Sequence, residues 1–319
     1  MGLPLAFSSG FGVNSPVRAL IVGCGYVGLP LGQALVQAGH QVSGLRRSAS
    51  SAEELQRAGL NPIIADITRR ADLDKISGAF DWIINTVASS GGGVEDYRAV
   101  YLRGTCCLID WLSARPPQKY IHTSSTSVYA QTDGSTVTEE SPAEPSSETS
   151  RVLVETERAL LHAAREKNFP ALILRVAGIY GPERGHPFKQ YLRGEARISG
   201  DGSRLMNMIH RDDVVRAILA ALERGRPGEI YNATDDEPVT QRNFFTWLAS
   251  KLDGPLPSPA AEPEDAERKR GLAQKRVSNR KLRQELGCEL KYPTFRQGYA
   301  AEMERLESSG KLLRRGCGK

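Results

Sequence analysis

Residues 22–28 read VGCGYVG, and this segment constrains the fold more than any other. It follows a short β-rich apolar run, VRALIV (17–22), and opens a stretch with helical spacing, YVGLPLGQALVQAG (26–39). A strand that turns this sharply into a helix sends the helix back over a sheet, and the next strand then lies parallel to the first. Gly23 suits the tight turn, Gly25 lets backbone approach a bound group, and Gly28 lets helix and strand pack closely.

The same βα rhythm continues. Strands are expected at QVSGL (41–45), NPIIAD (61–66), FDWIIN (80–85), KYIHTSS (119–125) and ALILRVAG (171–178). Helices are expected at 52–59, near 69–76, across 94–114 and over 151–167. Alternation of this kind predicts an α/β protein with a doubly wound parallel sheet of Rossmann type. After about residue 180 the rhythm breaks. A hairpin is expected within ARISGDGSRLMNMI (196–209), a helix at 212–224, and a strand EIYNAT (229–234) that returns to the sheet. The expected division is therefore a first domain of residues 1–180 and a smaller substrate lobe of residues 181–319. The Pro- and acid-rich DGPLPSPAAEPEDAE (253–267) reads as mobile surface and the C-terminal GKLLRRGCGK as a frayed tail.

In its strand–turn–helix setting, the G-x-G-x-x-G spacing of Gly23, Gly25 and Gly28 reads as a dinucleotide site, against the alternative of a purely structural turn. A pyrophosphate would sit at the helix N-terminus, beside Tyr26 and Val27. The second strand then runs into Arg46, Arg47 and Ser48, where an acidic residue would hold the ribose hydroxyls of NAD. Guanidinium groups suit a 2′-phosphate and an acid would repel it, so NADP is favoured over NAD. The alternative is a pair of ordinary surface arginines. Asp66, at the end of the third strand, is placed to meet the adenine ring or to serve a turn.

Taken together with SSTSVY after the fifth strand, EESPAEP, LILRVAGIYGPERG, MIHRDDVVRAI and YNATDDEPVT, the chain resembles the extended short-chain dehydrogenase/reductases of the epimerase/dehydratase type. The resemblance covers about residues 17–300. It implies a catalytic serine at Ser125, four before Tyr129, whose hydroxyl bonds a substrate oxygen. It also implies a Tyr-x-x-x-Lys pair at the start of the following helix, the lysine followed four residues later by Glu. The segment SRVLVE fits that frame through Arg151 and Glu155, which puts Arg151 in the lysine's place and Ser147 in the tyrosine's. The lysine's charge normally brings the tyrosine's pKa toward neutrality for proton exchange, and a serine hydroxyl is too weak an acid to replace it. Arg151 could still bind the nicotinamide ribose. Members that keep the frame without this pair, the atypical short-chain reductases, include altered enzymes and NADP sensors.

Other departures bear on the substrate. Met206 stands where sugar-nucleotide members often carry an arginine that clamps the diphosphate, with Arg204 two residues earlier on the same strand face. Tyr101 replaces the family's asparagine before xxGT, and its phenol either reaches into the cleft or fills core. His122 reads as a buried strand histidine. His210, with Asp212 and Asp213, reads as capping at a helix start. GCGYVGLPLG also resembles the opening of UDP-sugar 6-dehydrogenases, but those need a nucleophilic cysteine in a later glycine-rich segment. None of Cys106, Cys107, Cys288 or Cys317 lies in one. Adjacent Cys106 and Cys107 are expected to be buried packing.

Composition excludes several classes. The net charge of +5 is modest, and the basic run ERKRGLAQKRVSNRKLR (267–283) has no interleaved aromatics, so a solvated helical face is expected rather than a nucleic-acid surface. No apolar run spans a bilayer, the N-terminus lacks a signal peptide's charged start, and Ala6 stands where myristoylation needs Ser or Thr. Five cysteines without metal-ligand spacing point to a reducing, cytoplasmic setting and to no metal. The expected activity is NADP-dependent oxidoreduction of a small carbonyl, alcohol or nucleotide-sugar-like substrate, with a non-catalytic NADP sensor as the alternative. The resemblance suggests a homodimer.

Overall fold

The computed structural model describes residues 15–89, 91, 93–260 and 274–312. Its centre is β1 (Arg18–Val22), whose last four residues are fully buried. Alternate side chains of β1 enter two different cores: Ala19 and Ile21 on one face of the sheet, Leu20 and Val22 on the other. A strand covered on both faces reads as one continuous apolar run, as this one does.

The remaining sheet strands are β2 (Gln41–Arg46), β3 (Asn61–Ile64), β4 (Trp82–Asn85) and β5 (Lys119–Ser125). After β6 (Thr136–Val137), outside this sheet, come β7 (Ala171–Val176) and, beyond β8 (Gly178–Tyr180), β9 (Leu205–Met206) and β10 (Met208–His210), β11 (Ile230–Ala233). The order is β3-β2-β1-β4-β5-β7-β11, with every neighbour parallel. The expected strand at 229–234 is the edge strand β11. Winding reverses between β1 and β4, and a crevice opens there beyond the C-terminal strand ends.

One face is covered by α1 (Gly28–Gln37), α2 (Ala52–Arg57) and α8 (Arg211–Arg224). The other carries α3 (Arg70–Leu73), α5 (Gly104–Leu112) and α6 (Glu148–Lys167). The helix expected across 94–114 is built from α4 (Val94–Tyr97), a π-helical turn over Arg98–Arg103, and α5. Helix α6 starts at Glu148, three residues before the expected 151, because Ser147 caps it by accepting the Ser150 N–H at 3.3 Å.

The smaller lobe has its own aromatic core of Tyr180, Phe188, Phe244, Phe245, Phe295 and Tyr299. It differs from expectation in its strands. No hairpin forms at 196–209. Instead β9 (Leu205–Met206) pairs antiparallel with β12 (Val239–Thr240), and β10 (Met208–His210) pairs parallel with β8 (Gly178–Tyr180). Gly200 and Gly202 do make the turn, at φ +54° and +76°. The flanks pair elsewhere because distant strands bury Met208 and Ile209, which local turn chemistry does not.

The described part of the basic run is helical, with an exposed face, only from Arg280 onward. Arg276–Val277 forms a strand parallel to β6, Arg280–Leu286 is a helix, and Lys275 is buried with its ammonium donating to the Tyr129 carbonyl at 2.7 Å. Burial pulls the Lys275 pKa down to about 8. Of the expected mobile loop, Ser258 and Ala260 are bonded to Ile198. Residues 261–267 of that loop, residues 267–273 of the basic run, the N-terminal residues 1–14, and most of the tail with Cys317 lie outside the described residues. Cys106 and Cys107 are half-buried rather than buried, with Cys107 packed against the second core. Among the described residues no helix is long and apolar enough to cross a membrane, and no cluster could hold a metal.

One buried ion pair ties these layers together. Arg175 of β7 meets Glu157 of α6 at 2.8 Å, their side chains only 5% and 3% exposed. Ser124 of β5 donates to the same carboxylate at 2.5 Å, and Arg175 donates to the Tyr129 hydroxyl at 2.8 Å, which donates to Asn232 of β11 at 2.9 Å. Removing one partner leaves an uncompensated buried charge. Arg175→Met or Glu157→Leu should each cost about 3–5 kcal/mol of stability, and the two combined should cost less than the two singles together. Chemical denaturation of the four proteins measures this, and additive losses would show that the charges are not coupled.

Candidate active site

The cleft at the reversal point has a volume of about 600 Å³, within the roughly 300–1,000 Å³ usual for ligand sites. One end is the glycine turn. Gly23 has φ +80°, and a Cβ there would lie 2.6 Å from the Val87 backbone; its carbonyl accepts from Thr86 Oγ1 at 3.0 Å. Gly28 faces inward, where a Cβ would meet Ile21 at 2.9 Å. Gly25 differs from both. A Cβ on it would touch only the Gly23 carbonyl, at 3.9 Å, and otherwise project into open space in the cleft. The first and third glycines serve the fold, and the second leaves room for a ligand. No side chain caps α1 at Val27 and no acid stands in its first turn, so the donor end of the helix is suited to an anion.

Gly23, Gly25, Tyr26, Val27, Arg46, Arg47 and Asp66 all line this cleft, together with Ser48 and Thr68. Gly28 does not; it packs the helix. Arg46 is ion-paired with Glu54 of α2, so part of its charge is already answered. Asp66 accepts from the Thr68 N–H at 2.9 Å and from its hydroxyl at 2.7 Å, which fixes the turn after β3 with the carboxylate on the cleft wall. These residues fit a dinucleotide: space at Gly25 for the pyrophosphate, and arginines at the end of β2 for the adenosine half.

The opposite end is built from β5, α6 and the π turn. Ser125 lines the cleft, and its Oγ accepts from the Ser127 N–H at 3.1 Å, which leaves the hydroxyl proton to be donated outward. Thr123, Ser124 and Ser127 line the same wall. Tyr101 both lines the cleft and packs on the apolar cluster that holds Val128 and Leu153. Its hydroxyl accepts a long hydrogen bond, 3.4 Å, from the Ser89 N–H.

Ser147 and Arg151 are not brought to this wall. Ser147 is the helix cap, and exposed Arg151 donates to the carbonyls of Pro145 and Ser146 at 3.4 and 3.2 Å. The residue of α6 that reaches the cleft is Leu153. Four residues later stands Glu157, the buried partner of Arg175, so the Lys-x-x-x-Glu spacing is met by Leu153 and Glu157 rather than by Arg151 and Glu155. Glu155 instead pairs with Arg98 of the π turn at 2.7 Å. On this frame an apolar residue occupies the lysine's position.

Sequence reasoning did not single out Tyr97 or Arg184, both on the cleft wall. Arg184 lies in the GPERG loop after β8, and its guanidinium sits 5.0 Å from the Tyr26 ring centroid. The signal was present in the chain, as a cation just beyond the sixth sheet strand. Neither Met206 nor Arg204 is on the wall. His122 is fully buried, and burial lowers its pKa to about 4, so it is neutral near pH 7. His210 caps α8 by accepting the Asp212 N–H at 3.1 Å, while Asp213 accepts the N–H groups of Lys291 and Tyr292.

The asymmetry among the glycines yields an expected outcome. Gly25→Val should keep the wild-type melting temperature and abolish binding of NAD or NADP, whereas Gly28→Val should lower the melting temperature. Calorimetric melting with titration of both dinucleotides separates them; normal dinucleotide binding by Gly25→Val would make the turn purely structural.

Comparison with known proteins agrees with this geometry. The NAD dependent epimerase/dehydratase family matches over residues 19–234. Protein YeeZ of Escherichia coli K12 is 30% identical over 284 residues, which cover 86% of this chain and 96% of YeeZ. The 3-diazoavenalumate denitrifying reductase of a Streptomyces species is 27% identical over 316 residues, 90% of this chain and 100% of that one. Among solved structures, the dTDP-glucose 4,6-dehydratase of Streptomyces venezuelae, with NAD and TYD bound, superposes with a TM-score of 0.79 at 21% identity, covering 91% of this chain and 97% of that chain. That likeness shows the shared fold. Matched by the family over residues 19–234 and by a relative 30% identical over 86% of its length, the chain belongs to the NAD-dependent epimerase/dehydratase family.

Proposed function

We propose that the protein is an NADP-dependent reductase of a small, largely apolar carbonyl compound. The observation that carries this reading is one continuous cleft with Arg46, Arg47 and Ser48 at one end and Ser125 at the other. When bound, the nicotinamide supplies or accepts a hydride. Gly25 and the start of α1 would hold the pyrophosphate, and Arg47 with Arg46 would hold the 2′-phosphate. Ser125 donates its free hydroxyl proton to the substrate oxygen and so positions the carbonyl. Tyr97, Val100, Tyr101, Leu153 and Ile179 form an aromatic and aliphatic wall on the substrate side, which suits an apolar carbonyl. The 3-diazoavenalumate denitrifying reductase, itself named a reductase, supports a reductive reaction, though its own named substrate is a diazo compound. A nucleotide sugar is less supported, since the diphosphate-clamp position is Met206, away from the cleft.

One observation favours the sensor alternative: Leu153 stands where the frame calls for lysine. A sensor binds NADP tightly and turns over no carbonyl. NADPH oxidation against a panel of aldehydes and ketones, set beside binding measurements, distinguishes the two.

NADP(H) should bind more tightly than NAD(H), and Arg46→Asp with Arg47→Asp should remove about 1.5–3 kcal/mol of that preference. Isothermal titration of both cofactors checks it, and equal wild-type affinities would refute the assignment. Ser125→Ala should lower kcat/KM by roughly 10–100-fold, the loss of one hydrogen bond to the reacting oxygen. Ser147→Ala should leave turnover near wild type and cost about 1 kcal/mol of stability as a lost helix cap. The opposite pattern would restore Ser147 to the site.

A further inference from the structure

The reduction proposed above needs a proton donor that α6 does not carry. We propose that Tyr101 is that donor and Arg184 its charge partner, drawn from two other elements of the fold; this rests on the redox reading above.

Four observations converge on Tyr101. It lies inside the π-helical turn Arg98–Arg103, and such turns are rare and concentrate at functional sites. It lines the cleft and packs on the same cluster as Leu153, the α6 residue at the lysine's position. The Arg98–Glu155 ion pair holds the π turn against α6. The Ser89 N–H occupies a lone pair on its oxygen, and among the described residues no acceptor takes its proton. Two other phenols are placed differently. Tyr129 spends its hydroxyl on Asn232 and Arg175. The Tyr26 hydroxyl is directed toward Gly181, whose Cβ would meet it at 3.3 Å and His210 Nε2 at 2.9 Å.

Arg184 lines the same cleft. Burial raises the Tyr101 pKa, and the Ser89 N–H and the Arg184 charge oppose that rise. Tyr97 and Asp96, on the same helix, push it upward. On α6, Glu155 is paired with Arg98. In the reductive direction the carbonyl carbon accepts a hydride from the reduced nicotinamide and the C=O π pair moves onto oxygen. The phenolic O–H of Tyr101 breaks and its proton goes to that oxygen, giving the alcohol. The phenolate stays beside the Arg184 guanidinium until solvent returns a proton. The carbonyl is reduced and the dihydronicotinamide oxidised, so atoms and electrons balance.

The experiment combines turnover, binding and titration. Tyr101→Phe should lower kcat about 100-fold or more, as loss of a general acid does, while NADPH affinity by fluorescence titration and the melting temperature stay at wild-type values. The acid must be protonated to act, so kcat falls as pH rises through its pKa. Arg184→Met should move that alkaline limb to higher pH, and Arg184→Lys should bring it back. Tyrosinate absorbance, which needs no substrate, should show two phenols displaced upward in Arg184→Met, Tyr26 and Tyr101, of which the second is missing in Arg184→Met combined with Tyr101→Phe. The proposal is overturned if Tyr101→Phe turns over within a few-fold of wild type, or if Tyr97→Phe loses as much rate. It is equally overturned if Arg184→Met weakens NADPH binding without moving the limb. A wild type that binds NADPH and reduces nothing in the aldehyde and ketone panel removes the redox reading itself, and this proposal with it.

Discussion

The buried Arg175–Glu157 pair is the constraint from which the geometry of the site follows. A guanidinium in a strand buried along its whole length must be met by an anion, because desolvating it alone is prohibitive. Helix α6 can answer only by bringing Glu157 to β7, which fixes both its rotation and its rise. One turn earlier Leu153 then faces the cleft, and Arg151, two residues before that, is turned to solvent. Ser124 completes the pair from β5, so its neighbour Ser125 is aimed differently, toward the ligand end of the strand. Both walls of the substrate end are set by one charge pair.

This also explains which half of the site was legible in the sequence. The cofactor end is local: turn, glycines and helix start lie within seven residues, and Arg46 and Arg47 follow directly from the end of a strand. Backbone chemistry at that range leaves little choice. The catalytic end is not local. The chain offers two glutamates, Glu155 and Glu157, either of which completes a four-residue spacing. A cation four residues earlier, Arg151, points to Glu155; tertiary pairing with Arg175 selects Glu157, and the frame moves by two residues. The hairpin expected at 196–209 differs for the same reason, since its strands take partners more than twenty residues away.

Cations follow a similar logic. The sequence draws attention to Arg151 by position in a motif, and to residues 267–283 by density. In three dimensions Arg151 closes its own loop and Lys275 is buried against a carbonyl. A guanidinium that does line the cleft, that of Arg184, comes from a short turn with no run of like charges around it. A cation's usefulness here depends on which wall its backbone approaches.

The π turn has a consequence for how this helix can vary. One extra residue per turn means that positions before Arg98 and after Arg103 follow different rotational phases. Downstream, Leu108, Ile109 and Leu112 stay locked into the sheet core, while upstream Tyr97 belongs to the cleft wall. The insertion decouples the two. Substitutions on the cleft stripe need not disturb the core stripe, so one scaffold helix can be re-tailored to different ligands while its packing against the sheet is conserved.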